Sequence, residues 1–167
     1  HKTTFSDRST PNGTTRIYGG LACDLNHDGA PDLTLINEVS GDLRTYLNRN
    51  DGSGLFQPML VPTPIPLESS PNEPADFNGD GFVDIVTSSN LTNQIAIAFG
   101  NGAGGWNPPT IINTGSYPRG IAILDFDGDG DMDMAVSIRN TDSVALLTNN
   151  GSGVFGAPVN ISSGGDG

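Results

Sequence analysis

The sequence predicts an all-β fold made of three similar units, and three observations support this prediction. Apolar residues fall in short runs separated by Gly, Asn, Asp or Pro, which is typical of strands joined by turns. No stretch shows the 3.6-residue periodicity of a helix with one apolar face. An acidic motif and a glycine-aromatic motif each occur three times at intervals of about 50 residues, and a fixed interval of this size indicates a repeat architecture.

The acidic motif has the pattern D-x-[DN]-x-D-G-x-x-D. It occurs in CDLNHDGAPDL (23–33), DFNGDGFVDI (76–85) and DFDGDGDMDM (125–134). Oxygen ligands at alternating positions of a tight loop can converge on one point, and the glycine at position 6 permits the turn that brings position 9 back to that point. Ligation by oxygen atoms alone selects Ca²⁺ over softer metals. Each loop is therefore predicted to bind one calcium ion.

The predicted ligands are the side chains at positions 1, 3, 5 and 9 of each loop, together with the backbone carbonyl at position 7. They are Asp24, Asn26, Asp28, Ala30 and Asp32 in the first loop, Asp76, Asn78, Asp80, Phe82 and Asp84 in the second, and Asp125, Asp127, Asp129, Asp131 and Asp133 in the third. The third loop alone has four carboxylate ligands, so it is predicted to bind calcium most tightly. A solvated Asp/Gly turn is an alternative for any one loop, but it does not explain three copies at near-constant spacing.

The residues around the loops distinguish them from EF-hands, in which an acid at position 12 and two flanking helices complete the site. Position 12 is here Leu35, Thr87 or Val136. The segment MDMAVSI after the third loop alternates as a strand does, with Met134, Val136 and Ile138 on one face. Calcium coils that repeat every nine residues do not match the interval either.

The glycine-aromatic motif completes each unit. It reads GSGLFQP (52–58), GAGGWNPP (102–109) and GSGVFGAP (151–158). In the third unit the strands are predicted at GIAILDF, MAVSI, SVALLTN and APVNI, with the acidic loop after the first. Four antiparallel strands in about 50 residues are typical of a propeller blade. Trp106 could form a platform for a sugar, but because it occupies the position of Phe56 and Phe155 we expect a core or blade-packing role.

Together the two motifs resemble the FG-GAP/VCBS repeat family, over almost the whole chain. Repeats of this family build calcium-binding β-propellers in the heads of integrin α-subunits and in many secreted proteins. The resemblance implies that the loop residues given above are metal ligands and that the protein is extracellular. The segments VPTPIP (61–66) and PNEPA (71–75) depart from the family pattern because prolines interrupt them, and Pro31 is unusual at position 8 of the first loop.

The number of repeats is too small for the blades to close a propeller ring in the usual way. We divide the chain into an N-terminal strand or linker (1–17) and three repeats (18–66, 67–115 and 116–167). Three blades do not normally close a ring, and Phe5 lies in register as the aromatic of an earlier repeat. Three alternatives follow: part of a longer propeller, a ring completed by another copy, or an open assembly in which the N-terminal strand joins a neighbouring subunit.

Composition disfavours several classes of partner. The net charge of −12 disfavours nucleic acid, because no basic patch is present to neutralise phosphates. No apolar run reaches the roughly 18 residues of a membrane span. Catalysis has little support, since the chain has two histidines, His1 and His27, and no G-x-S-x-G, H-E-x-x-H or P-loop motif.

The predicted function is therefore a non-catalytic, extracellular, calcium-binding module with a structural or adhesive role in contact with a protein or a glycan. A self-assembling subunit of an extracellular filament or surface layer is one alternative, and the propeller part of a polysaccharide-active enzyme is another. Four N-x-[ST] sequons, at Asn12, Asn90, Asn150 and Asn160, are candidate glycosylation sites. We expect the first three in turns and Asn160 facing outward between Val159 and Ile161.

Overall fold

The chain folds into three four-stranded antiparallel sheets in a computed structural model that describes residues 16–162 and residue 164. The first sheet contains β1 (Ile17–Cys23), β2 (Asp32–Asn37), β3 (Asp42–Tyr46) and β4 (Thr63–Pro64). The second contains β5 (Glu73–Ala75), β6 (Asp84–Ser89), β7 (Gln94–Ala98) and β8 (Thr110–Asn113). The third contains β9 (Pro118–Leu124), β10 (Asp133–Ile138), β11 (Ser143–Leu147) and β12 (Val159–Ser162). Strands follow chain order within each sheet, as in propeller blades, so the all-β prediction is confirmed.

Helical structure in the described part of the chain is limited to a 3₁₀ turn at Arg139–Thr141, between β10 and β11. No helix among these residues has the length and apolar character needed to cross a membrane. The predicted N-terminal strand and Phe5 lie outside the described residues. The boundaries assigned to the repeats stay a prediction.

The alternation predicted after the third acidic loop is confirmed in β10. Met134, Val136 and Ile138 are almost fully buried on one face, whereas Ser137 is exposed on the other. The predicted strand GIAILDF ends earlier than expected, at Leu124. Phe126 belongs instead to the acidic loop, where its backbone N–H donates to the Asp133 carboxylate at 3.2 Å.

The core lies between the sheets, and the second sheet contributes to both of its parts. Ile95 and Ile97 of β7 pack in one cluster with residues of the third sheet. Ala96 and Ala98, on the other face of the same strand, pack in a second cluster with residues of the first sheet, including Ile36. Since successive side chains of a strand point to opposite faces, β7 joins its two neighbours through alternate residues.

The aromatics of the glycine turns connect each unit to the one before it. Phe155 of the third unit meets Phe77 of the second edge-to-face, with ring centroids 5.4 Å apart. The indole Nε1–H of Trp106 donates to Oγ1 of Thr45 in the first unit at 2.9 Å, and the ring packs against the second cluster. Trp106 thus has the packing role that the sequence predicts.

The proline-interrupted segments form the shortest strands. β4 has two residues and β5 has three, because proline has no N–H to donate to a strand ladder. The last strand, β12, differs from its prediction in another way. Asn160 is exposed as expected, but Val159 and Ile161 are also 62% and 48% exposed, so the described residues cover neither face of β12.

Candidate metal centre

The three acidic loops occupy equivalent places in the three sheets. Each connects the first strand of its sheet to the second, and the aspartate at position 9 is the first residue of that second strand. These aspartates are fully buried, whereas the aspartates at positions 1 and 5 are exposed or partly exposed. The buried residues are Asp32, Asp84 and Asp133.

Each buried aspartate is held by two backbone N–H donors, one on each carboxylate oxygen. In the first loop, Asp32 accepts from Leu25 at 3.0 Å and from Asn48 at 2.8 Å. The equivalent donors are Phe77 and Gly100 for Asp84, and Phe126 and Asn149 for Asp133. One donor belongs to the loop itself and the other lies two residues beyond the third strand. The buried aspartate therefore ties the loop to the far strand of the hairpin.

The side chains at positions 1, 3 and 5 fold onto the backbone of their own loop. Asp125 accepts from the N–H groups of Gly128 at 2.7 Å and Gly130 at 3.0 Å. Asp129 accepts from the N–H of Asp131 at 2.9 Å. The second loop makes the same bonds. In the first loop Asp24 accepts from the N–H groups of Asp28 and Gly29, and Asp28 accepts from that of Ala30. These hydrogen bonds hold the side-chain oxygens of each loop near one another without an ion.

Position 3 distinguishes the third loop from the other two. The side-chain amides of Asn26 and Asn78 donate to the carboxylates of Asp28 and Asp80, at 3.1 and 2.9 Å. Asp127 has no proton to donate when it is ionised. Its carboxylate instead forms a group with Asp125 and Asp133, in which one oxygen from each lies within 4.8 Å of the others. It is the one such acidic group of three that the described residues contain.

Burial and crowding make several of these carboxylates harder to ionise. Burial raises the pKa of Asp84 to about 6, although the N–H donors of Gly100 and Phe77 oppose the rise. Burial also raises the pKa of Asp32. Desolvation raises the pKa of Asp127, and the three neighbouring carboxylates add to this. A divalent cation in the loops would oppose these shifts because it stabilises the ionised form.

The glycine turns of the second and third units pack closely on the acidic loops, a role that the sequence interpretation did not assign to them. A Cβ on Gly102 would come within 2.5 Å of the Phe82 ring, and one on Gly151 within 2.6 Å of the Asp131 carboxylate. Both glycines also have φ near +70°, which favours glycine. Phe82 and Asp131 are the position 7 residues of the second and third loops. The feature of the sequence that could have indicated this contact is the joint recurrence of the acidic motif and the glycine-aromatic motif.

Asn149 links two of the acidic loops and was also missed from the sequence. Its buried side-chain amide donates to the carbonyl oxygens of Phe77, in the second loop, at 2.7 Å and Met132, in the third loop, at 3.1 Å. The equivalent residue of the first unit, Asn48, donates to Pro31 of its own loop. In the second unit the position is Gly100, which has no side chain to bridge the first and second loops.

The remaining candidate residues are spread over the surface. Asn150 and Asn160 are exposed and Asn90 is partly exposed in a turn, while Asn12 lies outside the described residues. Burial raises the pKa of the half-buried Cys23 thiol to about 11, so the thiol stays protonated at neutral pH.

A family profile described as "FG-GAP-like repeat" matches residues 24–87 and 76–136. Each match runs from position 1 of one acidic loop to position 12 of the next, so the two together contain all three loops and cover more than half of the chain. The chain belongs to the FG-GAP repeat family. These repeats often bind calcium, and the acidic group of the third loop is a place where a metal could be held.

Comparison of folds places these FG-GAP repeats beside larger proteins. A lectin of Agrocybe aegerita, described as specific for non-reducing terminal N-acetylglucosamine, is 20% identical with a TM-score of 0.64 over 87% of this chain and 38% of its own. The Tc holotoxin pore of Photorhabdus luminescens is 22% identical with a TM-score of 0.53, over 86% of this chain and 7% of its own. At these identities the likeness shows the fold alone. No curated protein sequence matches the chain.

The ligand count predicts that the third loop binds calcium more tightly than the first. Asn26→Asp should tighten the first site and Asp127→Asn should weaken the third, each by about tenfold, since one charge close to a divalent ion is changed. Site-resolved NMR titration with calcium measures both affinities. Equal affinities in the unmodified loops, or opposite shifts in the two variants, would contradict the ranking.

Because the amide of Asn149 is buried and bridges two units, its removal should destabilise the protein more than removal of the equivalent amide of Asn48. Asn149→Ala leaves the Phe77 and Met132 carbonyls without this donor, and should lower the free energy of unfolding by about 1–3 kcal/mol. Asn48→Ala is the matched control, because that amide is exposed and bonds within its own unit. Urea denaturation of both variants in calcium measures the difference. An equal loss in the control would argue against a bridge between units.

Proposed function

We propose that this FG-GAP module binds calcium through its three acidic loops and serves a structural or adhesive role outside the cell. The observation that carries the proposal is the acidic group of the third loop, where oxygens of Asp125, Asp127 and Asp133 lie within 4.8 Å of one another. Calcium takes six to eight oxygen ligands and accepts irregular geometry. The donor set of the loops is entirely oxygen, which fits calcium better than a transition metal.

Each loop would hold its ion with the side chains at positions 1, 3, 5 and 9 and the carbonyl at position 7. When bound, calcium supplies positive charge that neutralises carboxylates crowded at the junction of two strands. The aspartate at position 9 follows the loop after the first strand, is the first residue of the second strand, and accepts a hydrogen bond from a residue just beyond the third strand. An ion that holds this side chain would therefore fix three of the four strands. The ion would therefore stabilise the sheet as a whole.

The adhesive and extracellular parts of the proposal rest on the family and on the chemistry of calcium. FG-GAP repeats are generally non-catalytic and typically extracellular. Extracellular calcium modules commonly bind with a Kd of about 10⁻⁴ to 10⁻³ M, suited to the calcium outside cells. The similar fold of a lectin supports a glycan as one class of ligand, with protein contacts as the other.

Association with further blades is a second candidate role, supported by exposed apolar residues on one edge strand of the first sheet and one of the third. Ile17 and Tyr18 on β1 are 46% and 54% exposed, and Val159 and Ile161 on β12 are 62% and 48% exposed. An exposed apolar edge is a template for pairing with another strand. The additional blades would come from a longer chain or from other copies of this one.

Removing calcium should lower the melting temperature of the protein. A single site at a calcium concentration of 100 times its Kd contributes about 2.7 kcal/mol, which corresponds to a shift of at least about 5 °C for a chain of this size. Calorimetry in calcium and in EDTA measures the shift, and Asp133→Asn, which weakens one of three sites, should show a smaller one. An unchanged melting curve in EDTA would remove the structural role of the ion.

If the exposed edges join other copies, the purified chain should form oligomers or filaments in calcium. Light scattering at increasing protein concentration measures the mass, and electron microscopy shows whether the assembly is closed or open. The double variant Val159→Lys, Ile161→Lys should reduce the mass, since charge on an edge strand opposes pairing. A monomer at all concentrations would exclude self-assembly.

A further inference from the structure

Two arginines converge on one tyrosine at the end of the third sheet opposite the acidic loop. The guanidinium carbons of Arg119 and Arg139 lie 4.9 and 5.5 Å from the centroid of the Tyr117 ring. Arg119 also donates to the Tyr117 hydroxyl at 3.2 Å, and the backbone N–H of Arg139 donates to the Tyr117 carbonyl at 3.1 Å. The ring thus holds two exposed cations in place by cation–π contact and hydrogen bonding.

These arginines border an open cleft of about 320 Å³, which is close to the lower size limit of ligand pockets. Ser137 and Ser143 also line it, and their hydroxyl groups already bond to the backbone of Gly120 and to Thr141. Val144 is a partly buried apolar residue of the lining, whereas Ile138 is buried in the core. Asp142 lines the cleft as well, so the charged side chains of the lining sum to one positive charge. A local positive charge is notable in a chain whose net charge is −12.

The corresponding place in the first unit is neutralised by ion pairs. There the N–H of Glu38 donates to the carbonyl of Arg16, just as that of Arg139 does to Tyr117. The Arg16 side chain is paired with the carboxylates of both Glu38 and Glu68. No ion pair between described residues includes Arg119 or Arg139. The third unit therefore presents two guanidinium groups that can bind an external anion.

The cleft is separate from the calcium loops. Ile138 and Asp133 are the two ends of β10, and at about 3.3 Å per residue they lie roughly 17 Å apart. A ligand in the cleft would therefore not contact the loop carboxylates.

We propose that this cleft binds the carboxylate of an acidic sugar residue, such as a uronate within a glycan. Guanidinium groups bind carboxylates through paired, charge-assisted hydrogen bonds. A pyranose ring offers hydroxyl groups that can donate to the oxygens of the two serines, and a C–H face that can pack on Val144. Densely charged polyanions fit less well, because the acidic surface of the rest of the chain repels them. This inference deepens the adhesive part of the proposed function, on which it rests, and it is independent of the calcium part.

Binding is tested by NMR titration of the ¹⁵N-labelled protein in calcium buffer, following the arginine Nε–Hε signals. The probe is methyl β-D-glucuronide, with methyl β-D-glucoside as its neutral counterpart and acetate as a carboxylate without a sugar. The glucuronide should shift the signals of Arg119 and Arg139 at millimolar concentration. Arg119→Ala and Arg139→Ala should each weaken this binding by about tenfold, since a charge-assisted hydrogen bond is lost.

Arg49→Ala is the matched control, because it removes the same charge from an exposed position in the first unit and should leave binding unchanged. Equal shifts with the glucoside would overturn recognition of the charge, and equal affinity for acetate would overturn recognition of the sugar. Absence of any shift at the two arginines, or an equal loss in the control, would overturn the site itself. If EDTA lowers the melting temperature but the glucuronide shifts no arginine signal, the calcium proposal would stand and the acidic-sugar proposal would be wrong.

Discussion

The buried aspartate at position 9 of each acidic loop is the constraint on which the rest of the structure depends. A carboxylate withdrawn from water is costly unless its oxygens are paired, and burial raises the pKa of Asp84. Two backbone donors pair it, one from each side of the hairpin. The same side chain thus fixes the loop, is the first residue of the second strand, and positions the backbone just after the third strand.

The sheets depend on one another for their cores. Neither face of β7 is exposed, because its isoleucines pack towards the third unit and its alanines towards the first. A single four-stranded sheet of this size has too little apolar surface to be stable by itself. The aromatic of each glycine turn reinforces this dependence by packing backwards along the chain, as Phe155 does onto Phe77.

The order of elements and the acidic loops were predictable because their signals are local. The alternation in MDMAVSI and the two recurring motifs need only neighbouring residues to be recognised. Contacts between units were not predictable in this way. The amide of Asn149 reaches a carbonyl 72 residues away, and the two arginines of the cleft meet only because the start of β9 lies beside the turn after β10. The exposure of Val159 and Ile161 likewise depends on what packs over each face of β12, and a strand pattern does not contain that information.

The unequal junctions between units have a mechanical consequence. The second and third units share a cluster of nine buried apolar residues and the Asn149 bridge, whereas the first and second share a smaller cluster and have glycine where the bridge would be. A pulling force applied across the module would therefore separate the first blade while the other two still hold together. A module built in this way would yield in steps under load and absorb work at each one.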